Sequence, residues 1–170
     1  MNKKEASAKQ EKMVSDYMGW RVVTGSGSRP FSPGDVNSTH FLVECKTHVE
    51  EQSNIVFRKT HWGKIVDEAT SKHRYPALMT DNGTQKPDGT WVMIPIRLIP
   101  SEDSFRLYGM VNTARKGTTI TFNHRSAFDI YKATRSENLI YYFADTFNGE
   151  SLAIMSLYEF RKFYKEQFEL

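Results

Sequence analysis

A short apolar strand pattern that ends in charged residues constrains the fold more than any other feature of the chain. Residues 40–46 read His-Phe-Leu-Val-Glu-Cys-Lys, a run dominated by strand-forming side chains. Because strand side chains alternate between two faces, Glu44 and Lys46 should stand side by side on one face. Cys45 belongs to the opposite, apolar face, which indicates a small core residue rather than a nucleophile. The pattern therefore predicts a half-buried strand that carries an acid and an ammonium group at its end.

A hairpin is predicted immediately before this strand. Residues 35–36 form a second short strand, and residues 37–39, Asn-Ser-Thr, form the turn. The pairing brings the Asp35 carboxylate beside that of Glu44. Two converging carboxylates repel each other unless a cation lies between them. The hairpin therefore predicts a cation site.

The cation that suits this pair is Mg²⁺, or Mn²⁺ in its place, because Mg²⁺ binds one or two carboxylates and keeps several waters. We predict Asp35, Glu44 and the backbone carbonyl of Cys45 as its ligands. Such a metal polarises a scissile phosphate and lowers the pKa of a bound water. Lys46 would either stabilise the charge that develops on that phosphate or orient the attacking water. The alternative is an exposed Glu–Lys pair on a half-buried strand, with Asp35 an ordinary turn residue.

The remaining pattern predicts an α/β or α+β protein with one domain, residues 1–170. The core covers about residues 5–99, and residues from about 100 to 170 extend it. Predicted helices cover residues 6–18 (ended by Gly19), 61–72 (capped by Thr60) and a C-terminal stretch opened by the capping box Ser156–Glu159. Further predicted strands cover residues 20–23, 75–79, 91–99 (an edge or bulge, because of Pro95), 106–111, 118–122, 138–144 and 151–155.

Composition leaves the functional class open but excludes some settings. No apolar run in the 170 residues approaches the ~20 needed to span a membrane. The charged N-terminus is unlike a secretory signal, and the single cysteine indicates a reducing, cytoplasmic setting. The net charge of +3 argues only weakly for nucleic acid. Residues 1–29 and 58–74 are locally basic, which fits either a nucleic-acid surface or solvated helix faces.

The ordered set of motifs resembles the PD-(D/E)xK nuclease superfamily, which has the restriction-endonuclease-like fold and includes archaeal Holliday junction resolvases. Similar features are Glu11 on the first helix, the loop Gly25-Ser26-Gly27, the pair Gly34-Asp35, and Glu44-Cys45-Lys46. Segments at 64–69 and 75–78 look like the helix and following strand of small phage and bacterial resolvase-like nucleases. The resemblance covers about residues 5–99. It departs at Pro33, which precedes Gly34 rather than Asp35.

The resemblance implies a restriction-endonuclease-like core (α-β-β-β-α-β) with a C-terminal β-rich extension and a final helix. It implies an Mg²⁺-dependent endonuclease, a hydrolase of DNA phosphodiester bonds, with branched DNA as a candidate substrate. Cutting a junction symmetrically would require a homodimer. Glu11 would join Asp35, Glu44 and Lys46 in catalysis by assisting the metal; the alternative is a solvent-facing helix acid.

Four residues are candidates for DNA contact. Ser26, Ser28 and Arg29 lie in a small-residue loop that can approach phosphates closely, although a loop without function has the same composition. Lys64 lies on the second helix, where the resembling enzymes often carry a polar active-site residue; its alternative is i,i+4 pairing with Glu68. Two other functions stay open: a nucleic-acid-binding module that has lost catalysis, and an interaction protein in which the motif is coincidental.

Overall fold

A computed structural model describes residues 1–23, 34–134, 136 and 138–169. Within them lie four α-helices: α1 (Lys3–Met18), α2 (Lys59–Ser71), α3 (His124–Thr134) and α4 (Leu157–Phe168). The strands are β1 (Arg21–Val22), β2 (Val36–Asn37), β3 (Phe41–Lys46), β4 (Asn54–Arg58), β5 (Tyr75–Asp81), β6 (Thr90–Pro95), β7 (Ser104–Arg106), β8 (Thr113–Lys116), β9 (Thr119–Asn123), β10 (Ile140–Phe147) and β11 (Glu150–Ser156). Short 3₁₀ turns cover Pro87–Gly89 and Ile96–Leu98. The α/β prediction is confirmed as a mixed α/β architecture.

One large mixed sheet organises the molecule, with strand order β1-β2-β3-β5-β6-β11-β10-β7. Its neighbours are antiparallel except for β3 with β5 and β7 with β10, which are parallel. A parallel pair needs a crossover, and α2 supplies it between β3 and β5. A second sheet, β4-β9-β8, lies beside it. The central strands β5 and β6 are almost wholly buried.

The two faces of β3 meet different helices, as the alternation of its side chains predicts. Phe41 packs against Phe160 of α4, with ring centroids 5.4 Å apart. Glu44, on the other face, lies 3.5 Å from the Lys64 ammonium of α2. The capping box at Ser156 opens α4 as predicted, since Ser156 Oγ accepts a hydrogen bond from the Glu159 N–H. No helix in the described part of the chain is long and apolar enough to cross a membrane.

Capping residues determine where the first helix begins and ends. The Asn2 side chain accepts a hydrogen bond from the Glu5 N–H at 2.9 Å and begins α1. Gly19 ends it with φ at +71°, a left-handed conformation that glycine adopts without steric cost. The predicted end at Gly19 is therefore confirmed. This boundary fixes where the chain leaves α1 for β1.

Several predicted boundaries were wrong. Arg58, not Thr60, is the N-cap of α2, and no side chain caps that end. Pro95 is neither an edge residue nor a bulge: β6 lies between β5 and β11, and Pro95 is its last residue, where a missing N–H is tolerated. The strand predicted at 106–111 shares only Arg106 with the observed β7, and residues 107–111 are not in a strand. The strands β4 and β8 and the helix α3 were not predicted at all.

Candidate active site

Glu44 and Lys46 occupy the C-terminal end of β3, on the same face as predicted. The Lys46 ammonium lies 3.4 Å from Glu44 Oε1, and the Lys64 ammonium lies 3.5 Å from Glu44 Oε2. Glu44 is only 3% exposed, so each of its oxygens meets a cation in a poorly hydrated setting. An acid buried this deeply is costly unless it is paired, which explains why two lysines converge on it.

Asp35 lies directly beside this pair, as the predicted hairpin requires. The Cys45 N–H donates to Asp35 Oδ2 at 2.8 Å, and the Asp35 N–H donates to the Val43 carbonyl at 2.7 Å. The first bond fixes the carboxylate and the second fixes its backbone. Asp35 is therefore held against the end of β3 by β3 itself.

Gly34 determines the path of the backbone immediately before Asp35. Its φ is +69°, and a Cβ at this position would lie 2.7 Å from the Leu42 side chain. Its N–H donates to Glu68 Oε2 of α2 at 2.8 Å. Only glycine combines this conformation with this closeness, which explains the Gly34-Asp35 pair. Glu68 therefore helps to place the site, a role that its sequence position did not reveal.

Glu11 of α1 completes the group of acids. Burial raises its pKa to about 7, with further contributions from the charge of Asp35, a hydrogen bond with the Asp35 side chain and the charge of Glu44. Glu11 therefore keeps its proton up to a pH near neutral. The structure places Glu11 at the site rather than at a solvent-facing position, while its part in catalysis stays a prediction.

The lysines moderate the repulsion among these acids. Burial, followed by the charge of Asp35, raises the pKa of Glu44, whereas Lys46 and Lys64 lower it. For Lys64, burial alone lowers the pKa, but Glu44 and Glu68 outweigh it and the pKa is raised. Lys64 also lies 4.0 Å from Glu68, so the i,i+4 pairing considered for it is present beside its contact with Glu44. Its predicted contact with DNA is untested.

The donor set suits Mg²⁺ in chemistry, although it is not arranged as a ready metal site. Within the described residues, no group of three or more His, Cys, Asp or Glu side chains forms one. The oxygens of Glu44 face lysines, and one oxygen of Asp35 faces the Cys45 N–H. The three converging groups are nonetheless carboxylates, the ligands that Mg²⁺ prefers. Glu11, Asp35 and Glu44 would hold such an ion, and the Cys45 carbonyl stays a predicted ligand.

A buried glutamine, which was not predicted as a site residue, holds α1 against the strands that carry the site. Gln10 is fully buried, and its side-chain amide donates to the Lys46 carbonyl at 2.9 Å and the Met79 carbonyl at 3.2 Å. It therefore ties α1 to the ends of β3 and β5 and holds Glu11 next to them. The available signal was a polar residue on the stripe of α1 that also carries Ala6 and Val14.

The raised pKa of Glu11 predicts an unusual pH dependence of stability. The pKa of Glu11 rises from 4.5 to about 7 on folding, so the metal-free folded state binds more protons than the unfolded state in that interval. Its free energy of unfolding should therefore fall, by about 2 kcal/mol, as the pH rises from 4.5 past 7. Glu11→Gln should reduce this fall by the contribution of Glu11 and leave the protein more stable than wild type above pH 7; the remaining fall comes from other acids with raised pKa values, such as Glu44. Denaturant unfolding in EDTA across this range measures the effect.

The control is Asp16→Asn, which removes an exposed acid from the same helix. It should retain the wild-type slope. Equal slopes for wild type and Glu11→Gln would show that Glu11 holds no additional proton in the folded state.

Glu11→Gln should also slow the proposed reaction less than Glu44→Gln, because Glu44 is the more deeply buried acid.

Three predicted DNA-contact residues, Ser26, Ser28 and Arg29, lie outside the described residues, as does the loop Gly25–Gly27. Among the described residues, the structure brings Glu11, Asp35, Glu44, Lys46 and Lys64 together.

No protein-family model matches this chain, and no curated protein sequence matches it. Membership of a nuclease superfamily therefore stays a prediction from its motifs.

Proposed function

We propose that this chain is a metal-dependent endonuclease of the PD-(D/E)xK type that hydrolyses DNA phosphodiester bonds. The observation that carries the proposal is the convergence of Glu11, Asp35 and Glu44 beside the Lys46 ammonium. These acids come from α1, the residue before β2, and β3, and the pKa of Glu11 responds to both of the others. Acids from separate elements are held in mutual repulsion at a cost to stability, which fits a functional cation site.

The element order supports a restriction-endonuclease-like core. The chain runs α1-β1-β2-β3-α2-β5 apart from β4, with antiparallel β2–β3 and parallel β3–β5. This is the α-β-β-β-α-β order of the resembling superfamily. The additional strand β4 pairs with β9 in the second sheet and leaves the main sheet uninterrupted.

Each residue has a distinct part in the proposed hydrolysis. The chemistry supplied by bound Mg²⁺ is polarisation of the phosphate and activation of a water. Asp35 and Glu44 would provide the negative charge that holds the ion, and Glu11 would add to it by releasing its proton to water. The Lys46 side chain is 38% exposed, so its ammonium can reach a phosphate while it remains close to Glu44. It stabilises the charge that develops on the phosphate oxygens.

Substrate choice is tested by comparing DNA shapes. The full chain is incubated in Mg²⁺ with supercoiled, linear duplex, single-stranded and four-way-junction DNA. We expect cleavage of flexible or branched DNA in preference to relaxed linear duplex, with little sequence preference and an affinity that falls with salt. Preference for the junction would require a two-fold dimer, which sedimentation measures. A unique cut sequence in linear duplex would contradict the branched-DNA proposal, and inertness toward every substrate would contradict the nuclease.

A further inference from the structure

A cavity of about 490 Å³ adjoins the acid cluster through Lys46. The cations on its wall are Lys3, Lys46 and Arg58, and His48 and His61 lie among them. None of the described residues that line it is acidic. The cavity therefore concentrates positive charge next to a group of carboxylates, and its chemistry is that of an anion site.

The N-terminus of α2 contributes to the same cavity. Arg58 is the N-cap of this 13-residue helix and His61 lies in its first turn, and both line the cavity. No side chain caps this end. The Lys59 N–H already donates to the Thr118 carbonyl at 2.8 Å. The next amides of the first turn lack intrahelical partners and the helix dipole is positive there, so this end still favours an anion. Helix and side chains thus select the same kind of ligand.

Two neutral groups on the wall provide hydrogen bonds. Burial, followed by the charges of Lys46 and Arg58, lowers the pKa of His61 to about 4, so its ring is neutral at pH 7. Thr80 pairs in register with Lys46 across the parallel β3–β5 ladder and therefore faces the same side of the sheet. Its hydroxyl is buried and makes no hydrogen bond within the described part of the chain. The hydrogen-bond donors on this wall suit a ligand with many acceptor atoms.

We propose that this cavity binds a phosphate group of the DNA strand whose neighbouring phosphodiester bond lies at Glu44 and Lys46. The inference rests on the proposed nuclease function, and it adds a second phosphate subsite to it. Phosphate fits better than a carboxylate because it presents more acceptor oxygens to Lys3, Arg58 and the end of α2. Lys46 lies between the two sites, so a phosphate held here would place the next one at the acids.

Binding of inorganic phosphate to the full chain in EDTA tests the subsite without requiring cleavage. Phosphate should shift the ring NMR signals of His61, which are identified by their loss in His61→Gln. Arg58→Gln should weaken phosphate binding about fivefold, since it removes a charged hydrogen-bond donor from an exposed position. Lys72→Gln, which removes an exposed cation at the other end of α2, should bind as wild type does. Equal affinities for wild type, Arg58→Gln and His61→Gln would overturn the proposal.

The source of the phosphate is identified by a second experiment with linear duplexes that carry either 5′-phosphate or 5′-hydroxyl ends. Faster cleavage of the phosphorylated duplex, lost in Arg58→Gln but kept in Lys72→Gln, assigns the cavity to a terminal phosphate. Equal rates on both duplexes, with a raised KM for both in Arg58→Gln, assign it to an internal phosphodiester. Cleavage that Arg58→Gln leaves unchanged, with no phosphate binding, overturns the subsite but leaves the nuclease intact. Phosphate binding without any cleavage overturns only the nuclease.

Discussion

Asp35→Asn and Glu44→Gln should each lower the rate of DNA cleavage about 10³-fold or more and weaken Mn²⁺ binding. Each substitution keeps the shape of the side chain and removes the negative charge that holds the cation. Stabilisation of transition-state charge by a metal is worth several kcal/mol, which corresponds to this loss in rate. Single-turnover cleavage and Mn²⁺ titration of the same preparations measure the two effects together.

The matched control for these substitutions is Asp67→Asn, which removes an exposed acid from α2. It should cleave DNA and bind Mn²⁺ as wild type does. Both site variants should remain folded, because Glu44→Gln removes repulsion from Asp35 as well as attraction to Lys46 and Lys64. Wild-type cleavage by a folded Asp35→Asn or Glu44→Gln variant would show that the acids are not the catalytic centre.

Lys46→Ala should lower kcat about 10²–10³-fold, the usual cost of losing one stabiliser of transition-state charge. Metal affinity should persist, since an ammonium group is not a ligand and Glu44 keeps its contact with Lys64. Lys64→Ala is the matched comparison, because its ammonium lies at nearly the same distance from Glu44 on the other oxygen. We expect a much smaller loss for Lys64→Ala, since it comes from the helix side and also pairs with Glu68.

Comparison of the two lysine variants distinguishes a direct role in catalysis from a role in stabilising the buried Glu44 carboxylate. Equal losses in kcat for both would mean that the lysines act only by holding that acid. Loss of metal binding together with activity in Lys46→Ala would indicate disruption of the site rather than loss of a stabilising charge. Circular dichroism and thermal unfolding of both variants exclude misfolding as the cause.

The centre of the site could be predicted because local patterns determine it. Alternation along β3 places Glu44 and Lys46 on one face, and the hairpin places Asp35 beside them. Gly19 marks the end of α1 through its left-handed conformation. Each of these features depends on residues within about ten positions of one another, which is the range that sequence periodicity describes.

Other features depend on contacts between residues far apart in the chain. The bond from Gln10 to Met79 spans 69 positions, so the place of Gln10 on the buried stripe of α1 indicates burial but does not identify its partners. The basic cavity joins Lys3, Lys46 and Arg58 from three elements, so its charge is not visible in any one stretch. Helix α3 is an exception, because Ala127, Ile130 and Tyr131 recur at helical spacing and would have predicted it from the sequence.

Strand β4 was a different kind of omission. Ile55 and Phe57 alternate with Val56 and are fully buried, which is a strand pattern, but the polar residues before Asn54 concealed its start. Its partner β9 lies more than 60 positions further along the chain. The alternation within β4 is too short to predict the strand by itself, and nothing near it in the sequence identifies β9 as its partner.

The most direct test of the account is the rate at which the purified wild-type chain cleaves supercoiled plasmid in Mg²⁺ and in EDTA. We predict conversion to nicked or linear product in Mg²⁺, with activity that EDTA removes and Mn²⁺ restores. Cleavage that continues undiminished in EDTA, or plasmid that stays intact in both metals, would contradict a metal-dependent nuclease centred on Asp35, Glu44 and Lys46.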